Sequence, residues 1–138
     1  MYEYILTLDS SQAKETLKAV ELLMRLKINQ PREITRALMN GDYYWNNQTL
    51  DETKFSEFID RRDKADKIIE NAFENIYPPW DRAKKDEEWY RLYNIFQALR
   101  YQIHLAETPN STGVDSYPPI KLTDEPIPEC KWRETSKK

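Results

Sequence analysis

Arginines beside aromatic residues are the clearest candidates for a binding site in this sequence. Guanidinium groups form paired hydrogen bonds with phosphates, and aromatic rings stack on nucleotide bases. The pattern therefore predicts a pocket for a phosphate-bearing nucleotide. The alternative is that the rings belong to the core and the arginines extend over it. The predicted ligand-binding residues are Arg32, Arg36, Tyr44, Trp45, Arg100, Tyr101 and His104.

A row of carboxylates suggests a second kind of chemistry. Glu57 and Asp60 are three residues apart on a predicted helix, and Asp63 continues the row. Carboxylates at this spacing share a helix face and could hold Mg²⁺ for a nucleotide hydrolase. Such a site needs a second pair on a facing helix, and Glu87 and Glu88 are adjacent, so they point to different faces. Lysines and arginines interleave with the acids, which favours a solvated, ion-paired surface.

Nucleophilic and phosphate-loop chemistry find little support. His104 is the only histidine, and no orienting partner for it can be named. Cys130 is the only cysteine, so no internal disulfide forms, and no helix N-terminus precedes it to lower its pKa. With only Gly41 and Gly113, neither the Walker nor the Rossmann pattern can exist. We therefore expect a protein without catalytic residues, metal or cofactor, although a hydrolase stays open.

Composition limits the partners and the location. The 138 residues fit one domain, and the formal net charge is −3 with no strongly basic segment, which disfavours duplex nucleic acid. No apolar run approaches 18 residues, and the N-terminus lacks the pattern of a signal peptide. We expect a cytoplasmic protein that does not enter membranes.

Four helices and two short strands are predicted to position these residues. Residues 2–8 alternate as in a strand. Asp9 and Gln12 form a capping box for a first helix that runs to about Lys27. Pro31 fits the first turn of a second helix, with Ile34 and Leu38 on its buried side. Its end is predicted at Asn40-Gly41, before an aromatic loop, Tyr43-Tyr44-Trp45.

The second half of the chain continues this pattern. A third helix is predicted from Asp51 to Pro78-Pro79, and a fourth from near Asp86 to Thr108-Pro109. Ile120-Lys121-Leu122 in the proline-rich tail could pair with the N-terminal strand. The predicted fold class is α+β, mostly helical, with about four helices and a small sheet formed by the two ends of the chain. Residues 1–109 would form the compact domain, and the C-terminal segment, 110–138, would pack on it with its last residues frayed.

Self-association follows from the small size of this sheet. Two strands alone are marginally stable in water. They would need cover from a helix, or strands supplied by another copy of the chain. We therefore expect a homo-oligomer.

Three stretches carry a family resemblance. Residues 5–13, with the Gln12-Ala13 helix start, residues 89–100, and Asp124-Glu125-Pro126 resemble a family of short, mostly uncharacterised bacteriophage proteins. The chain departs from that family at Asn29, where the family usually has Gly, and in its longer acidic third helix.

The resemblance implies a setting in the cytosol of an infected bacterium. Small phage proteins of this kind often counter host defence. The leading expectation is an oligomeric protein that sequesters a nucleotide immune signal of the host. The alternatives are a protein-binding inhibitor of a host defence protein, which would use the Tyr43-Tyr44-Trp45 loop and the tail, and the Mg²⁺-dependent hydrolase.

Overall fold

The described part of the chain is helical. A computed structural model describes residues 4–39, 52–76 and 85–135. These ranges contain four α-helices: α1 (Ser10–Lys27), α2 (Arg32–Leu38), α3 (Glu52–Ile76) and α4 (Glu87–Glu107). A 3-10 turn follows at Val114–Ser116. The chain divides into a terminal unit, residues 1–23 and 86–138, and a central unit, residues 24–85, with the boundary inside α1. The predicted division at residue 109 stays a prediction.

Local signals in the sequence set both ends of α1. The Asp9 carboxylate accepts from the Gln12 amide N–H at 2.8 Å, and the Gln12 side chain accepts from the Asp9 N–H at 3.0 Å, which confirms the capping box. At the other end, Asn29 adopts a left-handed backbone with φ of 59°. The Gln30 N–H donates to the Arg25 carbonyl at 2.9 Å, and the Asn29 N–H to that of Leu26 at 3.0 Å. This is a Schellman cap, and Asn tolerates its left-handed position better than most residues.

The start and end of α4 also follow the prediction. Asp86 is extended, and its carboxylate accepts from the Trp89 N–H at 2.8 Å, so it caps the helix. The Thr108 N–H donates to the His104 carbonyl where the helix ends. Much of the face that α4 buries is polar, because Asn94, Gln97 and His104 join Trp89 and Ala98 there.

A polar seam joins α2 to α3 in the central unit. Thr35 and Asp66 are both buried, and the Thr35 hydroxyl donates to Asp66 Oδ1. One turn away, Arg32 Nε lies 2.5 Å from Glu70 Oε1. The hydrogen bond to Glu70 and the charge of that carboxylate raise the pKa of the Arg32 guanidinium. Residues three apart on one helix thus meet residues four apart on the other.

The predicted sheet is wrong. No strand occurs in residues 4–39, 52–76 or 85–135, so the fold is all-helical there and not α+β. Tyr4 and Ile5 are 90% and 93% exposed, and Leu6 is exposed as well. Among the described residues no strand pairs with 120–122, and at Ile120 the Gln97 side chain bonds both the N–H and the carbonyl. A side-chain amide therefore occupies the backbone groups that a neighbouring strand would have used.

The predicted buried side of α2 is wrong in part. Leu38 is 80% exposed, and the deeply buried residue of the helix is Thr35. The polar seam decides the orientation of this short helix more than its apolar spacing does. The predicted cap at Asn40-Gly41, the loop Tyr43-Tyr44-Trp45, the cap at Asp51 and the stop at Pro78-Pro79 lie outside the described residues.

An ionic contact ties the start of α1 to the end of α4. Glu107 accepts from the Ser10 hydroxyl, and its Oε2 lies 2.5 Å from Lys14 Nζ. The hydrogen bond from Lys14, and next that from Ser10, lower the pKa of Glu107. A lowered pKa means that this contact stabilises the fold above the unfolded-state pKa of about 4.3 and is lost as the pH falls through the lower folded-state value.

Glu107→Gln is therefore expected to flatten the pH dependence of stability below about pH 5. The measurement is urea unfolding of wild type and variant between pH 3 and pH 7, followed by circular dichroism. Glu15→Gln is the matched control, because Glu15 pairs with exposed Lys18 on its own helix. If Glu107→Gln loses stability in acid as steeply as the wild type does, Glu107 is not a source of the acid sensitivity.

No described helix is both long enough and apolar enough to span a membrane.

Candidate functional site

The predicted arginines of the central unit already have acceptors from the chain. Arg32 is held by Glu70, with a second, longer contact of 3.4 Å between Nη2 and Oε2. Arg36 Nη1 lies 2.6 Å from Glu33 Oε1, one turn earlier on α2. Both guanidinium groups are exposed, so a phosphate could reach them. A bound phosphate would share each guanidinium with a carboxylate of the chain, whose negative charge reduces the gain from binding.

The predicted residues of α4 form a second group, in the terminal unit. Arg100 Cζ lies 5.4 Å from the centre of the Phe96 ring, and Arg100 Nη2 donates to the Tyr117 carbonyl at 3.3 Å. The Tyr101 and His104 rings are nearly parallel, with centres 6.4 Å apart. Nδ1 of buried His104 lies 3.3 Å from the hydroxyls of Thr108 and of Ser111. These contacts give His104 a structural environment at the end of α4.

The predicted pocket residues belong to two units of the chain. Arg32 and Arg36 belong to the central unit, and Arg100, Tyr101 and His104 to the terminal unit. Within these groups, Arg32 and Arg36 lie one turn apart on α2, and the Tyr101 ring stacks on that of His104. The remaining two residues, Tyr44 and Trp45, lie outside the described residues. A nucleotide pocket that uses all seven residues stays a prediction.

The three carboxylates of the predicted Mg²⁺ row on α3 are exposed, and two of them pair with basic neighbours. Asp60 Oδ2 lies 2.7 Å from Lys64 Nζ, and Asp63 Oδ1 lies 3.1 Å from Arg62 Nη2. Glu57 is exposed near them in sequence. Among the residues that the structure describes, no three His, Cys, Asp or Glu side chains cluster closely enough to hold a metal ion. The geometry gives the Mg²⁺-dependent alternative no support.

Cys130 lies in a setting that disfavours nucleophilic chemistry. Its side chain is half-buried, and burial raises the pKa of the thiol. A raised pKa lowers the fraction of thiolate, which is the reactive form. The nearest ionic contact in sequence joins Glu129 to Lys131, and it lowers the pKa of Glu129.

The tail forms the most distinctive surface of the described chain. We call residues 117–132 the contact segment. It contains no helix or strand, yet α4 holds it at three places. Arg100 bonds the Tyr117 carbonyl, Gln97 bonds the backbone of Ile120, and Arg91 Nε lies 2.7 Å from Glu125 Oε1. Its residue numbers fall as those of α4 rise, so the segment returns along the helix.

Large apolar side chains of the contact segment face solvent. Four of them are between 51% and 60% exposed: Tyr117, Ile120, Leu122 and Trp132. The segment carries two lysines and three acids, so its net charge is −1. Its prolines, at 118, 119, 126 and 128, favour extended backbone. The segment is an ordered, nearly neutral strip with apolar groups at its surface.

Sequence reasoning named the tail as a contact surface but missed the residues of α4 that hold it. Gln97 and Asn94 lie inside an apolar stripe, which is the one available signal. Polar residues in such a stripe need hydrogen-bond partners when buried. The spacing along α4 does not say that the partner is the backbone of Ile120.

No known protein family, curated protein or solved structure matches this chain.

Proposed function

We propose that this chain is a non-enzymatic binding protein whose partner is another protein, contacted through residues 117–132. The observation that carries the proposal is the contact segment: a strip without secondary structure that is held on α4 and leaves Tyr117, Ile120, Leu122 and Trp132 half exposed. Large apolar side chains that stay exposed on a segment held in place are common at protein interfaces. Because the strip is already ordered, binding costs less conformational entropy than docking a free tail.

The size of the patch sets a further requirement. Burying the exposed half of each of the four side chains would contribute about 1 kcal/mol apiece, or roughly 4 kcal/mol together. Association itself costs on the order of 4–15 kcal/mol in lost freedom. The partner must therefore contact more of the chain. The predicted aromatic loop, Tyr43-Tyr44-Trp45, is the proposed second contact.

Charge favours a protein over a nucleic acid as the partner. A segment with net charge −1 offers no excess of cations to neutralise phosphates. Together with the resemblance to short phage proteins, this makes a host defence protein in the bacterial cytosol the proposed partner. The predicted homo-oligomer loses the argument drawn from the sheet and is proposed on the family resemblance alone, and light scattering of the purified protein would test it.

The proposal is tested by comparing the proteins that the wild type and two variants capture from a lysate. Immobilised full-length wild type, Leu122→Asp and Ile68→Asp are exposed to the same bacterial lysate, and bound proteins are quantified by mass spectrometry. Ile68 is an exposed apolar residue on α3, so its change to Asp is a matched control. We expect a specific protein whose capture falls at least tenfold with Leu122→Asp, because a charge would be buried in the interface. Equal capture by wild type and Leu122→Asp would contradict the proposal.

One observation keeps the nucleotide signal as a second candidate. The Nε of Arg100 is buried and has no acceptor among the described residues. Arg100 directly precedes Tyr101 on α4, and the Tyr101 ring stacks on that of His104, so a phosphate acceptor at Arg100 would suit the predicted chemistry. Native mass spectrometry against cyclic dinucleotides, cyclic trinucleotides and ADP-ribose derivatives tests it. Binding at fixed stoichiometry that Arg100→Gln abolishes would favour this candidate over the protein partner.

A further inference from the structure

The side-chain amide of Gln97 is the most buried large group in the described chain, with 1% of its surface exposed. Its Oε1 accepts from the Ile120 N–H at 2.6 Å, and its Nε2 donates to the Ile120 carbonyl at 2.8 Å. The second Nε2 hydrogen points to Oδ1 of buried Asn94, at 3.2 Å. Exchanging the amide oxygen and nitrogen would place donor against donor and acceptor against acceptor at Ile120, so this orientation is fixed by its partners.

This arrangement copies the pairing of two residues in an antiparallel sheet, which exchange both of their backbone hydrogen bonds. Ile120 is well suited to it. Pro118 and Pro119 have no N–H to donate, so Ile120 carries the first backbone donor after them. The prolines also restrict the preceding backbone to extended conformations. The side chain of Ile120 remains 59% exposed while its backbone is bound.

We infer that Gln97 is a positioning residue. It fixes the conformation of the contact segment before a partner binds, so the partner recognises the side chains of the segment and not its backbone at Ile120. This inference rests on the proposed function. Because both backbone polar groups of Ile120 are already paired, the partner cannot add a strand at this residue. A protein surface with apolar pockets for Ile120 and Leu122 fits the segment, and backbone pairing with a sheet edge at Ile120 does not.

We call the two hydrogen bonds between Gln97 and Ile120 the clamp. Amide hydrogen exchange of the full-length ¹⁵N-labelled protein tests the clamp without any partner. We expect the Ile120 N–H to exchange about 10- to 100-fold more slowly than those of Lys121 and Leu122, because it donates to Gln97 and a second hydrogen bond holds the carbonyl of the same residue. Gln97→Met keeps the volume of the side chain and removes both bonds, so the protection at Ile120 should disappear. Gln102→Met, the same change on the same helix, should leave it intact.

A merely structural role for Gln97 makes a different prediction. Gln97→Met would then raise exchange along all of α4. A positioning role predicts that Gln97→Met raises the amide exchange rate only in residues 117–125 and leaves the α4 amides as protected as in the wild type. In the lysate capture described above, Gln97→Met should lower Leu122-dependent capture about tenfold, because the segment must then be ordered during binding.

The outcomes separate the two claims. Equal exchange at Ile120 and Lys121 in the wild type would overturn the clamp, whatever the wild type captures. Protection that Gln97→Met abolishes, with capture unchanged, would overturn the positioning role while the proposed function stands. If the wild type captures no protein in a Leu122-dependent way, the proposed function and recognition through side chains are both overturned. The exchange rate of the Ile120 N–H would still show whether the clamp exists.

Discussion

Thr35→Val is expected to lower the free energy of unfolding by about 2–3 kcal/mol. The Thr35 hydroxyl donates to Asp66 Oδ1 and lies 2.7 Å from the Arg32 carbonyl oxygen. Valine has the same shape but no donor. It would leave the buried Asp66 carboxyl without this hydrogen bond, and an unsatisfied buried acceptor costs more than the bond contributes when formed.

A double variant separates this explanation from a packing defect. Thr35→Val with Asp66→Leu removes both polar partners, so most of the lost stability should return. Urea unfolding followed by circular dichroism at constant pH gives the free energies. Thr53→Val is the matched control, because Thr53 is exposed on α3, and it should change stability by less than about 0.5 kcal/mol. A double variant that is less stable than Thr35→Val would contradict the unsatisfied carboxyl as the cause.

Helix ends were predictable because their signals are local. The capping box at Asp9 and Gln12 and the cap at Asp86 each satisfy N–H groups within one turn of the chain. Nothing distant has to be known to place them. The end of α1 near Lys27 was predicted from the apolar spacing, and the left-handed cap at Asn29 was not. Short-range hydrogen bonding therefore carried most of what the sequence revealed about the fold.

The predicted sheet failed because pairing is not local. Residues 4–6 and 120–122 have the composition of strands, but alternation says only that a segment could pair, and not with what. For Ile120 the partner is the amide of Gln97, which lies within a helix. The orientation of α2 failed for a similar reason, as the contacts of Arg32 and Thr35 with α3 outweigh the exposure of Leu38.

The candidate site was predictable in its residue types and not in its arrangement. Arginines were chosen for their capacity to bind phosphates. In the structure Arg32, Arg36 and Arg100 each have an oxygen acceptor from the chain itself. A guanidinium group serves a ligand and an internal carboxylate or carbonyl with the same chemistry. Only the fold decides which oxygen each guanidinium group can reach. The residue types alone therefore favoured a nucleotide ligand, because they do not show the acceptors that the chain itself supplies.

Trp89→Ala is expected to cause the largest loss of stability, about 3–5 kcal/mol. Trp89 is buried at the start of α4. Its ring stacks on that of Tyr93, with centres 5.1 Å apart and planes 10° apart, and meets Tyr90 edge-on at 5.3 Å. Truncation would remove the apolar area of the indole ring and both aromatic contacts, and would leave a cavity that the neighbouring rings fill only in part.

The exposed Trp132 provides the matched control for this prediction. It is half exposed in the contact segment, so Trp132→Ala should cost less than about 1 kcal/mol. Trp89→Phe should lie between wild type and Trp89→Ala, because a smaller ring can keep the stack on Tyr93. The three variants are compared by urea unfolding. Similar losses for Trp89→Ala and Trp132→Ala would contradict the assignment of Trp89 to the core and of Trp132 to the surface. The expected order would instead tie the stability of α4, and with it the support of residues 117–132, to the ring at position 89.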